Sequence, residues 1–287
     1  MKLTLSMATY DDYDGVYFTV QSLRLHHRLP EGTEIVILDN NPTSAHGLAL
    51  AHFSKTAPGI RIVEVTRRKS SFVKYDIATV AAGDVILGLD CHVLLQPGFI
   101  EALLAYWAAH PDSCDMLTGP LLYNDLKATS VKMEPRWRGH DFGCWADDHA
   151  AMVAGLPFPV EMQGMGCFSF LKTHFPKINP AFSGFGAEEW YVAEKVRQHG
   201  GRVVCHPQLG WNHRFDWPHR TFPLRLTDKV RNYYLGWLEL YGRLDHPMIV
   251  EMTNHWRTQM PAAELDKVIR GVLLELRRTH GLEIAHT

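Results

Sequence analysis

Gly83-Asp84-Val85-Ile86-Leu87-Gly88-Leu89-Asp90-Cys91-His92 is the stretch that decides the fold: a continuous apolar run that ends in a carboxylate and an imidazole. A run this apolar, without polar alternation, reads as a strand buried on both faces, the kind found in parallel sheets covered by helices. Successive strand side chains point to opposite faces, so Asp90 and His92 share one side while Cys91 turns away. In open α/β sheets the ligand crevice lies beyond the carboxyl ends of the strands, where this pair sits. The pair therefore reads as two ligands of a divalent cation at a sheet edge; the competing reading is a core strand that happens to end in two polar residues.

Working outward, strand and helix patterns alternate through the first half. Strands are expected at Leu3 to Ala8, Glu34 to Leu38, Arg61 to Val65 and Asp84 to Leu89, with helices at Gly15 to His27, residues 44 to 55 and Tyr75 to Ala82. This is a Rossmann-like half without Gly-x-Gly-x-x-Gly: Ala8-Thr9-Tyr10-Asp11-Asp12 follows the first strand instead. A dinucleotide needs those glycines for backbone approach to its pyrophosphate, which argues against a nicotinamide or flavin enzyme. Asp39, at the tip of the second strand, either accepts hydrogen bonds from a base or ribose or serves the turn Asp39-Asn40-Asn41-Pro42.

A helix from about Pro97 to His110 and a strand from Leu117 to Tyr123 precede a long segment, Asn124 to Val160, that reads as a functional or mobile loop. Its Trp137 and Trp145, with Tyr123, either stack on a sugar or cover the sheet. Gln163 to Leu171 is strand-like, Glu188 to about His199 helical, and Arg202 to Cys205 a strand. From about Leu224 the pattern is helical; Val230, Tyr234, Trp237, Leu238 and Tyr241 stand at core spacing, and the last helix, Ala262 to Thr279, either caps the domain or pairs subunits into a homo-oligomer. The expected division is a catalytic domain over 1–222, with a nucleotide-binding half at 1–95 and a donor-sugar and acceptor half at 96–222, followed by a helical extension over 223–287.

Composition narrows the class. The 287 residues carry a formal net charge of -2, which argues against a nucleic-acid binder held by bulk electrostatics. Five scattered cysteines without a Cys-x-x-Cys pair fit reduced thiols, the N-terminus lacks the long apolar stretch of a signal peptide, and no apolar run is long enough to span a bilayer, so a cytoplasmic location is expected. The cation needs a third ligand from elsewhere. By spacing alone the candidates are His206, His213 and His219 among 17 histidines. Carboxylate and imidazole ligands with open positions suit Mn²⁺ or Mg²⁺ on a diphosphate rather than structural zinc. Glu188 and Glu189 open a helix, where carboxylates favour the dipole without further purpose, or where one binds sugar or acceptor hydroxyls and the other takes a proton.

Taken in order, these pieces resemble a GT-A fold glycosyltransferase of the family 2 type, with several motifs similar to the polypeptide N-acetylgalactosaminyltransferases. The Gly83 to His92 run is similar to that group's Gly-Asp-Val-Leu-x-x-Leu-Asp-Ser-His, which carries an Asp-x-His metal motif. Met165-Gly166-Cys167-Phe168-Ser169 resembles its Gly-Gly-Leu-Phe donor-sugar segment, and Phe185-Gly186-Ala187-Glu188-Glu189 its Trp-Gly-Gly-Glu-Asn, or the family 2 Glu-Asp. His213-Arg214-Phe215 resembles the His-x-Phe-Arg whose His is the third metal ligand, and Asn232 to Tyr241 is similar to the helix that follows.

The resemblance implies a mixed, mostly parallel α/β sheet flanked by helices and a hexosyl- or N-acetylhexosaminyltransferase acting from a nucleotide-diphosphate sugar, in the first place a UDP-sugar, on an acceptor the sequence does not identify. It implies Asp90, His92 and His213 on Mn²⁺ or Mg²⁺. Thr9, Tyr10, Asp11 and Asp39 would lie at the nucleoside, Lys74 at the diphosphate, and Gly166 and Cys167 against the donor sugar. Glu188 would grip hydroxyls; Glu189 is the base if the enzyme inverts, whereas a retaining enzyme lets the leaving phosphate take the proton. Where the group has an Arg three residues after its His this chain has Asp216, which leaves Arg214 or Arg220 for the diphosphate. Two rivals stand beside this reading: a non-catalytic nucleotide-sugar-binding module, and a sugar-nucleotide pyrophosphorylase, for which Tyr10 to Tyr13 supplies no Gly- and Lys-rich triphosphate loop.

Overall fold

The computed structural model describes residues 1–215 and 222–280. The strands are β1 (Leu3–Thr9), β2 (Glu34–Asp39), β3 (Ile60–Glu64), β4 (Val85–Asp90), β5 (Val93–Leu95), β6 (Met116–Thr118), β7 (Leu121–Leu122), β8 (Thr129–Ser130), β9 (Lys132–Arg138), β10 (Asp141–Ala146), β11 (Phe158–Val160), β12 (Cys167–Leu171), β13 (Val203–Cys205) and β14 (Trp211–His213). The helices are α1 (Tyr13–His26), α2 (Ala45–Thr56), α3 (Ile77–Val80), α4 (Phe99–Ala109), α5 (His149–Ala154), α6 (Glu188–Gln198), α7 (Leu226–Tyr241), α8 (Pro247–Gln259) and α9 (Ala262–His280).

The main sheet has eight strands in the order β11-β13-β6-β12-β4-β1-β2-β3. β3, β2, β1 and β4 are mutually parallel, and β1 lies centrally with Leu3, Leu5 and Met7 fully buried, as its apolar run requires. Ala8 stands opposite Asp90 and Thr9 opposite Asp39, so the carboxyl ends of these strands finish on one line. The sheet is mixed because β12 enters antiparallel between β4 and β6. That insertion depends on Gly88: a Cβ there would lie 2.4 Å from the Phe168 ring, which occupies the space instead.

A second sheet, β5-β14-β7-β8, carries the site's far wall. β14 runs antiparallel to β5 with His213 opposite Val93, which delivers a residue distant in sequence to the tip of β4. Two large apolar cores cover the main sheet, with a smaller third around Val36, Leu38 and Ile86. One collects α1, α2 and α4; the other collects α6 to α9 with β9 and β10, around the buried Trp237, Trp256, Tyr233 and Phe142.

Several expectations about local structure change: the strand expected over Leu117 to Tyr123 is two, β6 in the main sheet and β7 in the second, and His92 lies in the turn after β4 rather than on the strand with Asp90. Residues 124 to 160 form a short strand, the antiparallel β9–β10 hairpin, the helix α5 and β11, not an extended loop. The hairpin's Phe142 and Trp137 pack on α7 and α8, which a reading by composition treats as loop aromatics. The helix expected from Tyr75 is a 3-10 turn, Ser71–Asp76, leading into the single-turn α3; the tight turn places Lys74 inward.

Candidate active site

The carboxyl ends of β1 and β4, the start of α6, β14 and the β12 approach surround a cavity of about 350 Å³. Asp90 closes β4, and its amide donates to the Gly166 carbonyl at 2.8 Å, so the Gly164 to Gly166 segment lies against the strand tip. Gly166 leaves room there: a Cβ would stand 2.9 Å from the Trp211 ring and 3.3 Å from Asp90 Oδ2.

The two oxygens of Asp90 have different neighbours. Oδ1 accepts from Lys74 Nζ at 2.9 Å, while Oδ2 lies 3.3 Å from His213 Nε2. His92 and His213 meet edge to face with ring centroids 4.7 Å apart, and the candidate ligand atoms of Asp90, His92 and His213 all lie within 4.8 Å of one another. Ligands on a small divalent ion stand about 3 Å apart when adjacent and about 4 Å apart when opposite, so this trio is gathered around one ion position and draws inward on binding. His213 Nδ1 is buried with no hydrogen-bond partner among the described residues, and burial lowers the His213 pKa against the pull of Asp90, which keeps the ring a neutral ligand. The donor set fits the cation the sequence implies.

Lys74 Nζ also donates to the Met165 carbonyl at 3.0 Å and pairs with Glu188 Oε1 at 3.2 Å. Burial would push its pKa down; the two carboxylates outweigh burial and raise it well above the usual lysine range. Asp90 responds in the opposite direction. Burial works to raise its pKa, and Lys74 followed by His213 and His92 hold it far below the carboxylate range. The lysine expected at a diphosphate is thus the internal counter-ion of two site carboxylates.

At the other end of the cavity Ala187, buried and with φ of 77°, turns the chain into α6 so that Glu188 and Glu189 both line the cavity. A non-glycine residue in the left-handed region carries strain of about 1–3 kcal/mol, a cost found most often beside functional groups. Glu188 Oε2 accepts from the Ser71 hydroxyl at 2.7 Å. On Glu189 the pull of Lys74 is outweighed: burial first, then the neighbouring Glu188 charge, push its pKa up to about 7.

Of the remaining expected residues, Thr9, Tyr10, Gly166 and Arg214 line the cavity. Asp11, at φ of 55°, instead accepts from Asn41 Nδ2, and neither it nor Asp39 or Cys167 contributes to the wall. Asp39 is 2% exposed beneath the tip of β2, with Oδ1 accepting from the Asn41 amide and Oδ2 lacking a partner among the described residues. Cys167 is buried in the core on the α4 side. His206 turns to the Gln208 amide and the Tyr106 ring, away from the site, while Asp216, His219 and Arg220 lie outside the described residues. Sequence reasoning missed Asp12, Asn40 and Ser71, and Met133 and Trp211 in the apolar wall; of the aromatics weighed for stacking on a sugar, Trp145 lines the cavity while Trp137 and Tyr123 do not. For Asp12 a signal existed, since an Asp three residues before Gly15 is an N-cap at a helix start beside the site.

Residues 4–134 match the family model for glycosyl transferase family 2. No curated protein sequence matches the chain. Among solved structures, the chain is similar to GalNAc-T7 with UDP, GalNAc and Mn²⁺ at TM-score 0.70 and 16% identity, covering 99% of this chain and 55% of that one. It thus spans about half the length of that relative. It is also similar to the mannosyltransferase PcManGT from Pyrobaculum calidifontis with GDP-Man and Mn²⁺ (TM-score 0.53, 14% identity, 96% and 75% covered). S. aureus TarS residues 1–349 with UDP-GlcNAc align at TM-score 0.54 and 11% identity, with 97% and 73% covered. At these identities the likeness speaks for the fold.

Proposed function

We propose that this chain, a GT-A glycosyltransferase whose residues 4–134 carry the family 2 match, moves a sugar from a nucleotide-diphosphate donor with a divalent cation held by Asp90, His92 and His213. The single observation that carries the proposal is the convergence of those three groups, from the end of β4, the turn after it and β14, on the cavity that Glu188 and Glu189 line. When bound, Mn²⁺ or Mg²⁺ supplies charge neutralisation for the leaving diphosphate, worth several kcal/mol in the transition state.

The chain's own residues do the rest. Lys74 pins Asp90 by Oδ1 and leaves Oδ2 on the imidazole side. Arg214, on the wall beside them, is the candidate for the diphosphate oxygens. The Thr9 and Tyr10 wall receives the nucleoside, with Asp39 behind it holding the turn after β2 through the Asn41 amide. Gly166 allows the donor sugar to approach the strand tip, and Glu188, already hydrogen-bonded by Ser71, grips sugar or acceptor hydroxyls. Glu189 accepts the acceptor proton. A base whose pKa lies near the working pH combines a useful ionised fraction with proton affinity. That favours direct, inverting displacement.

The UDP-sugar reading draws support from the UDP in the GalNAc-T7 structure and the UDP-GlcNAc in TarS, with GDP-mannose as in PcManGT the other candidate. A pyrophosphorylase is disfavoured because Asp11 and Asp12 fill the turn after β1, where a triphosphate would meet carboxylates. The test is mass-spectrometric detection of donor hydrolysis across UDP- and GDP-sugars with Mn²⁺ and with EDTA. Cation-dependent hydrolysis of one donor class is expected. Donor binding without turnover across many acceptors would favour the non-catalytic module instead.

A further inference from the structure

Asp12 is 2% exposed, yet four donors converge on its carboxylate. Oδ1 accepts the Gly15 amide at 3.0 Å, the bond that starts α1, and lies 3.3 Å from Arg214 Nη2. Oδ2 lies 2.8 Å from His92 Nδ1 and accepts from the Cys91 thiol at 3.4 Å. An ionised carboxylate is an acceptor only, so Nδ1 of His92 must carry the hydrogen, and in the neutral ring the lone pair then belongs to Nε2. A second cation cluster of Asp12, Cys91 and His92 is geometrically conceivable. The hydrogen-bond pattern argues against it, because burial and the nearby carboxylates keep the Cys91 thiol protonated and donating.

We infer that Asp12 is a positioning residue: from beneath the site it fixes the tautomer of His92 so that Nε2 faces the cation position, and it ties Arg214 to the same anchor. The inference rests on the cation reading above and deepens it. A single buried carboxylate then couples the imidazole that ligates with the guanidinium that meets phosphate, and both are referred to the first turn of α1. Carboxylate partners of ligating histidines commonly contribute 10–100-fold in metal affinity.

Asp12→Asn separates this role from the helix cap. With its amide oxygen kept on the Gly15 N–H, its NH₂ faces His92 Nδ1, which must then accept. The ring proton moves to Nε2 and blocks the ligating nitrogen. Asp12→Ser retains a good N-cap and removes the partner altogether. Histidine ¹⁵N chemical shifts in the metal-free protein are expected to show His92 as the Nδ1–H tautomer in the wild type and Nε2–H in Asp12→Asn. Mn²⁺ affinity, followed by the loss of the free-ion paramagnetic resonance signal, is expected to fall 10–100-fold in both variants, with unchanged circular dichroism. A wild-type His92 in the Nε2–H form, or variants that bind Mn²⁺ as the wild type does, would overturn the inference. Wild-type protein that takes up no Mn²⁺ would overturn the cation reading itself, while the tautomer measurement still reports whether Asp12 governs the ring.

Discussion

The two ends of the cavity treat their carboxylates in opposite ways. At the strand-tip end Asp90 has Lys74 and two imidazoles around it and stays ionised. At the helix-start end the half-buried Glu189 stands beside the buried Glu188, and its pKa rises to about 7. Lys74 reaches Asp90 and Glu188 from between the two ends. On the proposed reading the difference is a division of labour: the carboxylate paired with a lysine and faced by two imidazoles would hold the metal, and the carboxylate pressed by burial and a like charge would exchange a proton. Environments that push two acids apart in one site mark their separate roles.

The largest effect should come from breaking the strand-tip end. Asp90→Asn removes the charge that pairs with Lys74 and completes the cation trio, and is expected to weaken Mn²⁺-dependent UDP binding 10³-fold or more by titration calorimetry. Affinity within threefold of wild type would erase the contrast. Next comes the helix-start end, where Glu189→Gln is expected to lower turnover 10²–10³-fold while UDP and Mn²⁺ affinity hold. The wild-type rate should rise with pH through about 7 as Glu189 ionises, and the variant should lack that limb.

The same carboxyl sets a stability slope. Its folded pKa lies above the ordinary glutamate value of 4.5, so the folded state holds the proton more tightly than the unfolded chain. That contribution is complete below about 4.5 and is lost as pH rises towards about 7. Thermal melts of Glu189→Gln should therefore show a flatter pH dependence across this window.

Smaller changes sharpen the contrast. Gly166→Ala sets a Cβ against Trp211 and Asp90, with an expected loss of about 1–3 kcal/mol in denaturant unfolding together with weaker Mn²⁺ binding. Smallest is Ala187→Gly at the opposite end. It relieves the left-handed strain against the greater entropy of an unfolded glycine, for a net gain of about 0.5–1 kcal/mol. A loss in that assay would mean that Ala187 is not strained.

Much of the architecture was legible because strand burial writes itself as uninterrupted apolar runs. Leu3 to Ala8 and Val85 to Leu89 could be placed in order, and the alternation of sheet and helix fixed their parallel relation. Asp90 and His92 do come to one place, as the local pattern suggested, but through the turn that follows β4 and not through the two-residue period of a strand. His213 was not legible from spacing; its role came from the resemblance, because pairing between β14 and β5 is a long-range contact that leaves no periodic trace. Trp137 and Phe142 were misplaced in a loop because hairpin strands packed on helices lack clean alternation. Asp12 was passed over although its capping position was readable, since nothing in sequence announces that a cap's second oxygen turns to a histidine. Lys74 was noticed for its charge, but which carboxylates it pairs with is decided by a 3-10 turn too short to show a pattern.

The central claim is that a carboxylate at the end of β4, an imidazole in the turn after it and a second imidazole on β14 hold one divalent cation. The most direct measurement is pulsed electron paramagnetic resonance on Mn²⁺ bound to protein labelled with ¹⁵N at histidine. Coupling to two histidine nitrogens in the wild type, reduced to one in His213→Ala, is the predicted result. Bound Mn²⁺ without histidine coupling, or with coupling untouched by loss of His213, would contradict the account.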